Sequence, residues 1–344
     1  DSKIYLFDYN TGQIIRTYNE HIMAVLGLAL SPDGSKFASS SADRTIRIWD
    51  INSTTSLKIG IAHLGYVYSI AYSNDGTKLI TACEDTRTRL YGTNPVDVLH
   101  TYWDHRGAVY SAAFSPNGEK VASVGEDGII KIWDTTPDSY LLLESIPAHT
   151  GIVTNIEYSP DGFLIATSGY DNSINIWDPA LGFQMKNLTG HTDTITSIKF
   201  FKDAATVISG SVDGRIRLWN LSTGKSTLNI NNQSPVLSLA TSGDFTKIFA
   251  SGANGVLKAF NSSGVLLKRI DSNETMKKAL AYDSNNGVLL AGDDAGFVKI
   301  YSASDYAFKK SYDLKSAIKK IVIPDGGKYY YVLTTFYPYT VGCW

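Results

Sequence analysis

Five of the six histidines of this chain stand 28 residues before an aromatic residue: His21 before Trp49, His63 before Tyr91, His105 before Trp133, His149 before Trp177 and His191 before Trp219. An interval kept to the residue over five copies means that one supersecondary unit is repeated, because a recurring set of strands and turns is what holds a path length constant. Between each His and its aromatic partner lie three apolar-alternating segments separated by turns. The first turns read Ser31-Pro32-Asp33-Gly34, Ser73-Asn74-Asp75-Gly76, Ser115-Pro116-Asn117-Gly118 and Ser159-Pro160-Asp161-Gly162, with Pro and Gly where tight turns want them. The third segments, "TIRIWD", "IIKIWD", "SINIWD" and "RIRLWN", alternate with period two and are rich in Ile, the pattern of strands. A fourth strand, such as "QIIRTY" or "QMKNL", links each unit to the next. No stretch supports a helix longer than a turn or two, so the fold class is all-β.

The aromatic position continues beyond these five copies. It runs Phe7, Trp49, Tyr91, Trp133, Trp177, Trp219, Phe260, Tyr301 and Trp344, at steps of 41 to 44 residues, which makes eight units. The stretch "DSKIYLFD" at 1–8 aligns with "DRTIRIWD" at 43–50, so the chain starts on a third strand and continues into a fourth at 13–18. It ends on the first two strands of a last unit, "AIKKIVIPDGGKYYYVLTT". Pairing residues 1–18 with the unit at 314–344 would complete one unit from both termini and remove an open sheet edge. Residues 336–344, "FYPYTVGCW", compete for the same place as residues 2–8. Innermost strands begin near Val25, Val67, Val109, Val153, Ile195, Val236, Lys277 and Ile318, which predicts eight units in one domain spanning 1–344. Seven is the alternative, but it would leave the apolar, Tyr-rich segment 317–339 without a partner.

Composition removes several function classes. Thirty-one basic residues against 33 acidic ones leave no basic excess, which weighs against a nucleic-acid binder. No apolar run approaches the roughly 18 residues that a membrane helix needs. Two cysteines, Cys83 and Cys343, are too few for a disulfide framework and lack metal-ligand spacing. They fit a reducing compartment, and the expected location is cytoplasmic or nuclear. Six Asn-x-Ser/Thr sequons, Asn52 and Asn187 among them, point weakly the other way. The first residue is Asp1 rather than Met, so the chain is expected to be processed or excised from something longer.

Units of 40 to 45 residues with four strands, a Gly-His opening as at Gly190-His191 and a Trp-Asp close as at Trp49-Asp50 resemble the WD-repeat family. The resemblance covers essentially the whole chain, with a strong motif match in five units and a weak one in the last three. It implies a closed β-propeller of four-stranded antiparallel blades. It also implies a hydrogen-bonded tetrad in each blade: His21, Ser39, Asp43 and Trp49; His63, Thr81 and Asp85 with Tyr91; His105, Ser123, Asp127 and Trp133; His149, Thr167, Asp171 and Trp177; His191, Ser209, Asp213 and Trp219. The chemistry agrees, since a buried imidazole needs one donor and one acceptor, and an indole N–H needs an oxygen. Read as Ser-His-Asp triads or metal ligands, the same sets make no sense in five identical copies. His100 alone stands outside the scheme. No phosphate loop, Cys-x-x-Cys or nucleophile elbow occurs in its required context, so neither enzyme activity nor a cofactor is expected. In the last three units Asn232, Asn273 and Leu314 replace His, Ala250 and Ala291 replace Ser/Thr, and Asn254 and Ala295 replace Asp. Losing the partners together avoids leaving one buried polar group unpaired.

Function is therefore expected in surface residues. In the family, the residue five after the tetrad His and the residue just before the tetrad Asp tend to point at one face. The first set here is Leu26, Tyr68, Tyr110, Thr154, Thr196, Leu237, Lys278 and, allowing a two-residue shift, Lys319; the second includes Glu84, Glu126, Tyr170 and Val212. Tyr66 and Trp103 lie in adjacent loops. Units two to four thereby gather aromatic and acidic side chains, and units seven and eight gather Lys277, Lys278, Lys319 and Lys320. Aromatic residues with a few charges are the material of binding hot spots. The sequence thus predicts a non-enzymatic scaffold holding a peptide or protein partner through Tyr66, Tyr68, Glu84, Trp103, Tyr110, Glu126, Tyr170, Lys278 and Lys319. The alternative is a structural propeller module of a larger protein or assembly, of ribosome-biogenesis, actin or ciliary type.

Overall fold

The alternating runs fold as strands, four to a sheet. A computed structural model describes residues 2–8, 11, 13–201, 203–242, 244–271, 275–323 and 329–335, and these form eight four-stranded antiparallel sheets. The fold is an all-β propeller of eight blades, and the seven-blade alternative does not hold. Strands follow chain order within the first seven blades. The second blade, for example, is Val67–Tyr72, Lys78–Cys83, Thr88–Gly92 and Val98–Tyr102. Among the described residues no helix is long and apolar enough to cross a membrane.

Burial rises and then falls across each blade. The second strand of the third blade, Lys120–Gly125, is buried from its second residue onward, whereas the fourth, Leu142–Pro147, is mostly exposed. Middle strands are covered on both faces by neighbouring blades and so carry near-continuous apolar runs. The apolar cores lie between consecutive sheets: Ala122, Val124, Ile130, Ile132 and Ile146 of the third blade pack with Val153, Ile156, Ile165 and Trp177 of the fourth. In the first, second and fourth blades the first turn is tied by its own Ser and Asp. Ser31 Oγ donates to Asp33 Oδ1 at 2.6 Å and accepts from Lys36 N at 2.9 Å, with Gly34 at a φ of 68°, and Ser73, Asp75, Lys78 and Gly76 repeat the arrangement.

The chain divides into two compact units, one of residues 21–207 and 219–225, the other of 1–20, 208–218 and 226–344. In the second of these, Ile4–Asp8 pairs with Tyr329–Thr335 on one side and with Ile14–Tyr18 on the other. The sheet order is Ile14–Tyr18, Ile4–Asp8, Tyr329–Thr335, Ala317–Val322, so the amino-terminal strands complete the last blade. Tyr5 and Phe7 are buried there with Ile318, Tyr330 and Val332 against Val288, Leu290 and Val298 of the seventh blade. The competing segment 336–344, which includes Trp344, lies outside the described residues, as does Asn273.

Candidate functional site

Among the described residues the tetrads that the family resemblance implies are seen complete in the first, third and fourth blades, all in the unit built around residues 21–207. In the first blade, His21 Nδ1 lies 2.7 Å from Asp43 Oδ2 and Nε2 2.8 Å from Ser39 Oγ, which also accepts from Trp49 Nε1 at 2.8 Å. In the third, His105 Nδ1 is 2.9 Å from Asp127 Oδ2 and Nε2 2.8 Å from Ser123 Oγ, with Trp133 Nε1 donating to Ser123 at 3.0 Å. In the fourth, His149 sits at 2.9 Å from both Asp171 Oδ1 and Thr167 Oγ1, and Trp177 Nε1 donates to Thr167 at 3.0 Å. Because a carboxylate only accepts, the proton sits on Nδ1, and Nε2 takes the hydroxyl hydrogen that the indole leaves available. Each Asp also caps the loop after its His, as Asp127 does for Arg106 N at 3.0 Å and Ile129 N at 3.2 Å. Burial pushes the Asp127 carboxyl up, but the His105 hydrogen bond and these amides outweigh it and hold it below the usual range. In the fifth blade the His191 and Trp219 rings meet edge to face at 6.0 Å.

The second blade inverts the pattern. Arg89, buried on the third strand, comes between His63 and Asp85: its Nη1 donates to His63 Nδ1 at 2.8 Å and to Asp85 Oδ1 at 3.1 Å, and its Nη2 lies 2.8 Å from Asp85 Oδ2. A guanidinium only donates, so His63 Nδ1 accepts and the ring proton moves to Nε2, facing Tyr91 Oη at 3.0 Å and Thr81 Oγ1 at 3.3 Å. Burial and the adjacent Arg89 charge bring the His63 pKa down to about 3. Donor atoms of His63, Cys83 and Asp85 lie within 4.8 Å of one another, a grouping that could hold a metal ion. Arg89 already engages two of the three, and burial pushes the Cys83 thiol up to about 12, so the set is satisfied as an internal ion-pair network.

Position two before the aromatic residue was not singled out by the sequence reading, yet it recurs as Arg47, Arg89, Lys131, Asn175 and Lys258, each directly across the strand pair from the tetrad Ser/Thr position. Asn175 Nδ2 donates to Ala148 O at 2.7 Å, Lys131 Nζ to Asp104 and Lys258 Nζ to Asn232 O, so in these blades the side chain ties down the loop at the His position. The available signal was a polar side chain recurring two residues before the aromatic position, in strands whose neighbouring positions are mostly apolar. The weak repeats are also less empty than expected. In the seventh blade, buried Asp293 accepts from Thr275 Oγ1 at 2.9 Å, Ala295 N at 3.1 Å and Phe297 N at 2.9 Å, replacing the missing Asp from two residues upstream.

The expected face residues share one backbone feature. Leu26, Tyr68, Tyr110, Thr154, Leu237, Lys278 and Lys319 each sit at the register shift of a β-bulge near the start of the first strand, as shown where Val67 pairs with Cys83 and Ser69 with Ala82. A bulge turns one side chain out of the ladder and is frequent beside functional sites. Tyr66, Tyr68 and Tyr110 form one cluster, with centroids 6.4 Å apart for the first pair and 5.1 Å for the second. Exposed Trp103 carries the Arg87 guanidinium 3.9 Å above its ring. Half-buried Tyr170 follows the fourth blade's second strand, its N–H donating to Ile152 O at 2.9 Å. Glu84 and Glu126 do more than decorate the face: Glu84 Oε2 accepts from Tyr66 N at 3.0 Å and Glu126 Oε2 from Ala108 N at 3.2 Å. A Cβ at Gly65 or Gly107 would come within 2.8 Å of the Glu84 Cβ or 2.7 Å of the Glu126 Cβ, so these glycines make room for the staples. In the other unit, Lys278 pairs with Asp294 at 3.5 Å and Lys319 is exposed.

Segments 12–50, 54–92, 96–134, 141–178 and 182–220 each match the family model "WD domain, G-beta repeat", together more than half of the residues. The chain belongs to the WD-repeat family. Within this WD-repeat chain, 49 residues are 43% identical to the serine-threonine kinase receptor-associated protein of Gallus gallus and 41% identical to that of Homo sapiens, 14% of each chain. A segment aligned over 52 residues is 44% identical to pre-mRNA-processing factor 17 of Saccharomyces cerevisiae, 14% of this chain and 11% of that protein. The matches thus span about one seventh or less of these relatives. In fold, the chain is similar to the crystal structure of the computationally designed Ika8 protein, with a TM-score of 0.78 and 22% identity over 91% of this chain and 97% of that one.

Proposed function

We propose that this WD-repeat protein is a non-catalytic scaffold that holds a peptide or protein partner on the His-loop face of its second to fourth blades. WD-repeat propellers are in general non-catalytic and bind protein partners. The observation that carries the reading is the cluster of Tyr66 with the bulge residues Tyr68 and Tyr110, together with apolar loop residues Leu64 and Trp103 at 67% and 61% exposure. Soluble proteins seldom leave such side chains together unless something covers them. The tetrads offer no competing chemistry, since both ring nitrogens of His21, His63, His105 and His149 are engaged in structural networks.

Affinity capture from source cells, quantified for wild type, Tyr68→Ala/Tyr110→Ala and the outer-strand control Leu99→Ala, tests the face. Partners should be lost only from the tyrosine variant, and equal recovery by a folded tyrosine variant would remove this face from consideration. The alternative of a module within a larger assembly draws on the outer strands. Leu57 and Ile59, Leu141 to Leu143, and Leu181, Phe183 and Met185 are all exposed there. The relatives' names, a receptor-associated protein and a pre-mRNA-processing factor, are compatible with either reading. A cytoplasmic or nuclear location goes with both.

A further inference from the structure

We infer that the partner segment seated on the tyrosine cluster presents a cation, a Lys or Arg side chain, to Glu84 and Glu126. This rests on the proposed scaffold face and specifies the chemistry it recognises. The two glutamates bracket the cluster: Glu84 holds the backbone of Tyr66, whose ring meets Tyr68, whose ring meets Tyr110, whose strand begins one residue after the Ala108 that Glu126 holds. Each staple uses only Oε2, so one oxygen of each exposed carboxylate remains for another donor.

Among the described residues no cation takes that role. Among the described residues neither glutamate forms an ion pair, although several cations are close in sequence. Arg87 lies on the Trp103 ring, Arg89 bridges His63 and Asp85, Lys131 is held by Asp104 and Ser145, and the exposed Arg106 contributes only its backbone N–H, to Asp127. A purely apolar partner would strip water from two carboxylates without replacing their hydrogen bonds, and an acidic one would add like-charge repulsion. A Lys or Arg gives a carboxylate of this face a charge-assisted hydrogen bond and meets the tyrosine faces as a cation over π systems. The exposed Leu64, two residues before Tyr66, suits an apolar residue beside that cation.

The test uses the full chain with ring-labelled tyrosine and two peptides, acetyl-Gly-Leu-Arg-Leu-Gly-amide and its isostere with citrulline in place of Arg. The Arg peptide should shift the Tyr66, Tyr68 and Tyr110 signals with an affinity about tenfold above that of the citrulline peptide, the scale of one charge-assisted contact. The Glu84→Gln/Glu126→Gln variant keeps an oxygen acceptor for Tyr66 N and Ala108 N and removes only the charge, so it should erase the preference while its melting curve stays with wild type. A wild-type chain that prefers neither peptide, or a Gln variant that keeps the preference, overturns the inference. Cell-derived partners lost from Tyr68→Ala/Tyr110→Ala but retained by the Gln variant leave the scaffold face standing and refute the cation alone. Partners retained by both variants refute the face itself.

Discussion

Replacing Asp127 with Ala should destabilise the protein by about 2–4 kcal/mol, from one buried imidazole N–H left without an acceptor and two loop amides left to water. The structure supplies each part. His105 Nδ1 is 2.9 Å from Asp127 Oδ2, Arg106 N 3.0 Å and Ile129 N 3.2 Å from the same carboxylate, and the His105 side chain is 1% exposed. Water can reach the two amides at the loop, so the imidazole dominates the loss. For a chain of this length that energy lowers the melting temperature by about 3–6 °C. Asn254→Ala, at the same position of the sixth blade, removes one turn hydrogen bond, from Val256 N to Asn254 Oδ1 at 3.2 Å, and should cost about 0.5–1 kcal/mol. Thermal unfolding of the two variants beside wild type checks the ranking. An Asp127→Ala protein that melts with wild type, or one that loses an activity without losing stability, would refute the structural role of the tetrads.

Arg89→Ala should cost about 3–5 kcal/mol in urea unfolding, because it leaves the Asp85 carboxylate buried without its counter-charge; a loss below about 1 kcal/mol would show that Arg89 is not the bridge. His63 should keep one Cε1 chemical shift from pH 8 to pH 5, since burial and Arg89 hold its pKa at about 3, and a midpoint near 6.5 would contradict the inverted tautomer. The same depression makes stability fall as pH drops: the unfolded chain takes up this proton below about pH 6.5 while the folded chain refuses it, a slope of up to about 1.4 kcal/mol per pH unit. Phe7→Ala, in the amino-terminal strand buried between Ile14–Tyr18 and Tyr329–Thr335, should cost about 3–5 kcal/mol in the same unfolding assay. An unchanged midpoint would mean that this strand does not hold the last blade together.

Repetition is why so much could be read directly. A fixed His-to-aromatic interval, turn residues at constant offsets and period-two runs report local geometry, and local geometry copied eight times leaves little choice of architecture. The alignment of residues 1–8 with a third strand was legible for the same reason, whereas the tetrads of the first, third and fourth blades were legible through the family resemblance. The face positions were legible only by analogy along the repeat. Nothing in "VYSIAY" or "VYSAAF" announces that the Tyr is the bulged residue, because a bulge depends on the register of the partner strand.

Other features required the tertiary structure. A lone Arg at position 89 reads like Arg47 one blade earlier, and only the packed blade shows it entering the His63–Asp85 gap and moving the imidazole proton to the other nitrogen. Asp293 looks like part of an Asp-Asp turn until Thr275 and Phe297 N are brought to it. Glu84 and Glu126 read as surface charge, yet each folds against a glycine eighteen or more residues away and fixes the loop that carries the aromatic patch. The sequence by itself determined the strands, their number and their order, since these follow from short-range periodicity and turn chemistry. The tertiary structure decided which polar groups meet, and therefore where protons and unpaired charges lie, because hydrogen bonds between distant strands depend on fractions of an ångström that no spacing encodes.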